Sequence, residues 1–361
     1  MLLSDTTMTR LNETLLAWLD THAEELDTGA AQADALLARL AQAGLFGVAV
    51  PQEEGGDGAA FSEAVAVVAA LAERSLGAAF VFWAQRAFIE CLLASPNRAL
   101  VDRCLPALLS GELAGAPGLS NAMKFLGGLD HLRACGSGGP NGVRLQGAVP
   151  WATNLRPQGF VVAIAVGDGR GDNPSVIALP HDAPGVERAP DLELSALRGT
   201  HTSALRLNDV ALDPAWELHP QASVFLPRIR PAFVGLQCGL GIGLARAGLR
   251  AAREALDERP SILRDEAGAL EADVDACWTA LRSGLDEKSL RENPRLLLGL
   301  RLQMVDLASR AVALELQALG GRALLRRQDG GHARRAREAA FLAVVTPTVV
   351  QLKTDLARLA R

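Results

Sequence analysis

The sequence predicts an α+β multidomain chain: an N-terminal α-helical domain (1–112), a middle β domain (113–220) and a C-terminal α-helical bundle domain (221–361). Three observations predict it. Helical periodicity dominates the first ~110 residues, Pro and Gly then punctuate short β-branched runs, and helical periodicity returns from Val224 onward. With 361 residues, 49% of them apolar, the chain can bury a large core in two or three structural units.

In Gln32 to Ala43, Leu36, Leu37 and Leu40 share one helical face, and Gly44 sits where a helix ends in a left-handed turn. Pro51 and the Gly55-Gly56-Asp57-Gly58 loop interrupt. Ala64 to Leu76 and Ala84 to Leu93 are helical in period. Val143 to Val149, Phe160 to Val166, Ser175 to Leu179 and Ala204 to Leu207 have strand length and composition. A long helix carrying Gly243 to Leu249 ends near Arg259-Pro260, and another helical stretch covers Asp265 to Leu281. Asn293 and Pro294 suit the N-cap and first residue of a helix that Gly320-Gly321 would terminate. Val349, Leu352, Leu356 and Leu359 form the apolar stripe of a last helix, with Thr346 as its cap and Pro347 first within it.

A net charge of −5 and a pI near 5.8 give no electrostatic reason to expect nucleic-acid binding. The five cysteines lack paired spacing, so neither a disulfide framework nor a metal site is expected. The N-terminus lacks an apolar signal region, and no apolar run approaches the ~20 residues of a membrane span. A cytoplasmic protein is the expectation.

Several segments, in order along the chain, resemble the acyl-CoA dehydrogenase superfamily. They are Gly44 to Pro51 with Gly55 to Gly58; Leu145-Gln146-Gly147 with Trp151-Ala152-Thr153-Asn154; Arg198 to Ser203 with Asn208-Asp209-Val210; and Gln317 to Gly321. The resemblance implies a middle β-barrel or sandwich, a C-terminal four-helix-bundle-like domain, and FAD between these two. It implies a homodimer or homotetramer, or a hetero-oligomer. The substrate would be an acyl-CoA or related small molecule, with an electron-accepting flavoprotein or oxygen as acceptor.

Trp151 and Thr153 on one strand can supply a flat wall and a polar group for an isoalloxazine ring, and the resemblance implies that they do. Taken alone, without the resemblance, Trp151 reads first as a core anchor between sheet and helices. Ser120 can bond the flavin edge or simply serve a Gly/Pro-rich turn. Gly320 and Gly321 are, by resemblance, an approach to a partner's FAD, and by local chemistry a helix stop. Two segments depart from the family pattern. Ala122 to Gly127 replaces a Pro and a Gly-Ser-Asp, and the chain after Arg259 runs directly into a helix, so a reduced inter-subunit grip on FAD is expected.

The most informative departure is Val345-Thr346-Pro347-Thr348, because the resemblance places a catalytic Glu where Thr346 stands. A carboxylate in a dry site can remove an α-proton; a Thr hydroxyl unaided does not. The family's second base position falls near Pro231 to Phe233, where there is no acid either. Glu338 points away in helical projection and is not nominated. His201 is the remaining titratable candidate near the cofactor segment, its alternative being a surface turn. His332 and Arg326, Arg327, Arg334, Arg335 and Arg337 could bind CoA phosphates or form ion pairs. The sequence therefore leaves three functions open: oxidoreduction on the CH–CH group of an acyl thioester, a flavin-dependent monooxygenase needing no such base, and a non-catalytic FAD- or acyl-CoA-binding subunit.

Overall fold

Asn12 opens the first helix of a computed structural model that describes residues 11–29, 31–139, 142–167, 174–257, 261–325 and 330–360. Its carboxamide oxygen accepts the Leu15 amide at 2.8 Å, the side-chain cap a first turn needs. The N-terminal helices are α1 (Glu13–Thr28), α2 (Ala33–Gln42), α3 (Phe61–Ala72), α4 (Leu76–Leu93) and α5 (Arg98–Ser110). Gly44 after α2 and Gly111 after α5 have φ of +67° and +74°, so both helices stop where a residue without Cβ can turn left-handed.

Strands follow. One sheet has the order β1 (Ala114–Pro117), β4 (Phe160–Val166), β5 (Ser175–Pro180), β8 (Glu217–His219), with β1 parallel to β4 and the other pairs antiparallel. The second is antiparallel with the order β2 (Ala134–Gly139), β3 (Gly142–Ala152), β7 (Ser203–Leu212), β6 (Val186–Arg188). A bridge between Cys135 and Gly167 joins the two sheets beside β2 and β4, giving a partly closed sandwich. Between the strands lies a short helix, α6 (Ser120–Leu126).

Helices then resume as α7 (Ala222–Asp257), α8 (Leu263–Asp286), α9 (Ser289–Glu292), α10 (Pro294–Leu319), α11 (His332–Leu342) and α12 (Val349–Leu359). Asn293 caps α10 through the Leu296 amide at 3.0 Å, with Pro294 in its first turn, and Gly320 ends it at φ +58°. Helix α7 lies so close to α3 that a Cβ on Gly243 would come within 2.1 Å of the Ala69 carbonyl. Windows of α4 and α7 are long and apolar enough to cross a membrane by length and composition, contrary to the sequence reading, but 89% of each is buried inside the fold.

Helix α4 ties the N-terminal helices to the β domain. Gln85 is fully buried; its amide donates to the Leu108 and Leu113 carbonyls, both at 2.9 Å, and its oxygen accepts the Gly115 amide at 2.7 Å and the Asn154 amide at 3.0 Å. The end of β3, just after Trp151, is thereby fixed against the helical core.

The last helix corrects one expectation. Its cap is Thr348, not Thr346: the Thr348 hydroxyl accepts the Gln351 amide at 3.2 Å and Gln351 Oε1 accepts the Thr348 amide at 2.8 Å. This reciprocal box satisfies two backbone donors, so it sets the helix start. Thr346 lies in the turn before it, joined to Pro347 by a cis peptide bond. Of the expected stripe, Leu352 is buried while Leu359 is exposed.

Candidate functional site

A cavity of about 670 Å³ opens between the β domain, α4 and the C-terminal helices. That is room for a drug-sized or cofactor-sized ligand. Its β-domain wall is Trp151, Ala152, Thr153, the 194–197 loop and the start of α6; its helical wall includes Phe80, Trp83, Phe233, Phe341 and Thr346. The aromatic rings pack on one another. Phe80 stacks on Trp83 with centroids 4.9 Å apart, Phe233 meets Trp83 edge-on at 4.9 Å, and Phe341 meets Phe80 edge-on at 4.7 Å. The helical wall is thus rigid, apolar and polarisable.

Trp151 lies within an irregular stretch of β3, where the register with β7 shifts between Val149 and Ala152. Such irregularities re-aim side chains. The indole is 55% exposed although it lines the cavity, which excludes the core-anchor reading. Thr153 is buried and sits in a line of hydroxyls, Thr153 Oγ1 to Thr202 Oγ1 at 3.0 Å and Thr202 Oγ1 to Thr200 Oγ1 at 2.8 Å, with Thr200 donating to the Leu197 carbonyl at 2.8 Å. All three threonines reach the cavity, so this row offers a ligand hydroxyls whose orientation is coupled. Ser120 also lines the cavity, as the first residue of α6 and not as the loop residue expected. Its neighbour Asn121 is held by Asp130, the His131 carbonyl and the Arg133 amide.

The titratable groups lining the cavity are Lys124, Asp130, Arg133 and Arg337. Arg337 donates to Asp27 at 2.8 Å and to Glu24 at 2.9 Å, and the other oxygen of buried Asp27 accepts the Leu197 amide, fixing the 194–197 loop. Asp130 is the one carboxylate among the described lining residues. The His131 amide donates to it and, with nearby Arg133, holds its carboxyl below the ordinary range, which makes it a weak base. Thr346 lines the cavity, as does Phe233 from the Pro231 to Phe233 stretch near which the resemblance allows a second base, and neither is a carboxylate.

The other candidates lie elsewhere. His201 is not among the cavity-lining residues, and it is no surface turn: it is buried, with Nδ1 3.0 Å from Asp191 and Nε2 3.1 Å from Asp34. Both ring nitrogens are engaged, so the residue ties α2 to the β domain. Gly320 and Gly321 end α10 in the open, where an added Cβ would meet nothing within 4 Å. Arg334 and Arg335 do not present free charge for phosphates, since they are buried against Glu338 at 2.7 Å and Glu315 at 2.5 Å. His332 is likewise buried, 3.4 Å from Glu315. Arg326 and Arg327 lie outside the described residues. Glu338 also accepts the Leu76 amide at 3.0 Å and is fully enclosed, in keeping with its exclusion as a base.

Sequence reasoning missed Lys124, Asp130, Arg133, the aromatic wall and the 194–197 loop. The wall had a signal: Phe80 and Trp83 are three residues apart on a helix, hence on one face.

Residues 9–112 match the family model of the acyl-CoA dehydrogenase N-terminal domain. Solved structures extend the likeness over nearly the whole chain. The chain has the acyl-CoA dehydrogenase fold. Butyryl-CoA dehydrogenase from Megasphaera elsdenii superposes with a TM-score of 0.81 at 18% identity, covering 100% of both chains. Glutaryl-coenzyme A dehydrogenase, in its glutaryl-CoA complex, gives 0.81 at 17% identity, covering 99% of this chain and 95% of that one. KijD3, in complex with FMN and a dTDP-linked amino-keto sugar, gives 0.80 at 21% identity, covering 99% and 94%. No curated protein matches the chain. At these identities the likeness to solved structures establishes the fold, and acyl-CoA dehydrogenase-fold proteins evidently hold ligands as different as an acyl-CoA and a nucleotide sugar.

Proposed function

We propose that the chain is a flavin-dependent oxidoreductase of the acyl-CoA dehydrogenase superfamily whose chemistry does not run on a carboxylate base. One observation supports the second half: the cavity's helical wall presents no carboxylate among its described residues, with Thr346 and Phe233 lining it from the two segments where the resemblance allows a base, and the one described lining carboxylate, Asp130, belongs to the β-domain wall and is a weakened base. This favours the oxygen-using monooxygenase reading over desaturation of an acyl thioester, because only the latter requires removal of an α-proton.

The residues present suit a flavin, FAD by the sequence resemblance. Trp151 offers a half-exposed flat face, and Thr153 with Thr200 and Thr202 offers polar atoms beside it. Ser120, at the start of α6, would meet the ring edge. KijD3 supports the reading as an FMN complex of this fold. When bound, the flavin supplies hydride or electron transfer and reaction with oxygen. The chain's own part is to exclude water with the Phe80–Trp83–Phe233–Phe341 wall and to hold the 194–197 loop in place through Asp27. Gly320 and Gly321, exposed at the end of α10, remain the candidate approach to a neighbouring subunit in a homodimer or homotetramer. A cytoplasmic location is part of the same reading.

The test is the visible spectrum of the purified protein, followed by anaerobic titration with acyl-CoAs and by oxygen consumption with a flavin reductase. A yellow protein that consumes oxygen and is not bleached by any acyl-CoA is the expected result. Anaerobic bleaching by an acyl-CoA would overturn the base-free reading, and a protein that takes up no flavin would overturn the whole.

A further inference from the structure

Arg301 on α10 is fully buried, and no carboxylate lies within ion-pair distance of it among the described residues. Nε donates to Gln237 Oε1 at 3.3 Å, Nη2 donates to the Leu342 carbonyl at 3.0 Å, and Nη1 has no partner. The other groups facing it do not neutralise it. Cys238 is kept a neutral thiol, its pKa pushed up to about 12 by burial, and the Leu342 carbonyl closes α11 with only a fraction of a charge. An enclosed guanidinium without a counter-ion is costly, and a negative charge brought near it from outside the chain would offset part of that cost.

The route to such a charge is short. Gln237 accepts from Arg301 with its oxygen and donates from Nε2 to the Thr346 carbonyl at 2.6 Å. Thr346 lines the cavity. Two hydrogen bonds therefore separate the buried cation from the segment on which the resemblance places a carboxylate. Along the same wall, Phe80, Trp83, Phe233 and Phe341 offer apolar surface, and among the described lining groups only Asp130 opposes a positive field.

We infer that Arg301 is a fixed positive charge behind the Thr346 end of the cavity, and that this end receives a ligand group bearing negative charge, a carboxylate or comparable oxyanion on an apolar or aromatic body. Arg301 acts through Gln237 and the Thr346 backbone and is a positioning residue. The inference concerns the chain's own charges and does not depend on the flavin reading.

The experiment uses the full-length protein as purified, with flavin content read from its spectrum in the same samples. Binding of 8-anilinonaphthalene-1-sulfonate is compared with binding of its uncharged analogue N-phenyl-1-naphthylamine in wild type, Arg301→Met, Arg301→Lys and Lys124→Met. The ratio of the two affinities cancels general changes in cavity shape. Arg301→Met is expected to lower the sulfonate's advantage about tenfold, and Arg301→Lys, which keeps the charge, to retain most of it. Equal losses for both probes in Arg301→Met, or an unchanged ratio, would overturn the inference. Should Arg301→Met not fold, displacement of the probe by cyclohexanecarboxylate and by cyclohexanecarboxamide in wild type and in Lys124→Met/Arg133→Met decides the matter, the third lining cation, Arg337, being paired with Asp27 and Glu24. A carboxylate preference that survives the double variant supports the buried charge; one abolished by it assigns the preference to the lining cations and refutes the role of Arg301.

Discussion

Replacing Thr346 with Glu would restore the carboxylate that the resemblance expects, yet the surroundings predict a poor base. The path from Arg301 to the Thr346 carbonyl consists of hydrogen bonds of 3.3 and 2.6 Å and one carboxamide. Taking a charge separation of roughly 8 Å and an effective dielectric of about 20, Coulomb's law gives about 2 kcal/mol, or roughly thirtyfold lower basicity for an introduced carboxylate. Thr346→Glu alone should therefore confer little α-proton abstraction. The double variant Thr346→Glu/Arg301→Met should recover about thirtyfold, since the Coulomb interaction that lowers the carboxylate's basicity is removed with the charge. The assay is deuterium incorporation at the α-carbon of butyryl-CoA in D₂O, read by mass spectrometry, because it reports the base whether or not electrons are transferred. Equal exchange by the single and double variants would refute the electrostatic argument.

Three other perturbations test the fold around the site. Gly243→Ala drives a methyl into the Ala69 carbonyl, 2.1 Å from the ideal Cβ, and should cost about 3 kcal/mol in chemical denaturation, whereas Gly268→Ala, with open space around it, should be neutral or mildly stabilising. Native protein at pH 8 should yield one thiol to Ellman's reagent, that of exposed Cys135, and all five after denaturation; burial raises the pKa of Cys104 and Cys277 to about 11 and of Cys238 to about 12. Asp191 is desolvated, but hydrogen bonds from His201 and Arg188 outweigh that and hold its pKa below the usual aspartate value. A depressed folded pKa stabilises above the unfolded value and is lost as pH falls, so the destabilisation by Asp191→Asn should be largest near neutrality and fade below about pH 3.9. A difference that grew on acidification would contradict this.

The fold was legible because its signals are local. Asn293-Pro294, Gly44 and Gly320 mark helix ends by chemistry that operates within four residues, and the structure uses each of them. The strand segments Phe160 to Val166 and Ser175 to Leu179 are near-continuous apolar runs, and they pair with each other in the first sheet. The cap of the last helix was misplaced for a local reason too. Thr346-Pro347 satisfies the preference for Pro at the first helical position, but Thr348 and Gln351 form a reciprocal pair two residues later, and two satisfied backbone donors outweigh one favourable φ. The Thr-x-x-Gln spacing was present in the sequence and signalled the true start.

The site was legible only where a residue's neighbours in space are also its neighbours in sequence. Trp151 and Thr153 are two residues apart and both reach the cavity, although β3 ends at Ala152 and Thr153 lies just past it, not on the same strand as expected. His201 was misjudged because its partners, Asp34 and Asp191, come from two other segments, and only the tertiary fold reveals that both ring nitrogens are engaged. Arg301 gave no sequence signal at all: an arginine on an amphipathic helix reads as solvated until the packing of α7 and α10 encloses it. The threonine at 346 and the buried cation behind it are linked through Gln237, so the two positions act on the same end of the cavity. A carboxylate beside an enclosed guanidinium would be neutralised as a base, whereas a threonine whose backbone carries the cation's influence leaves that charge for a ligand. The physical consequence is a cavity end whose helical wall, among its described residues, offers no proton-withdrawing carboxylate and whose nearest enclosed charge is positive.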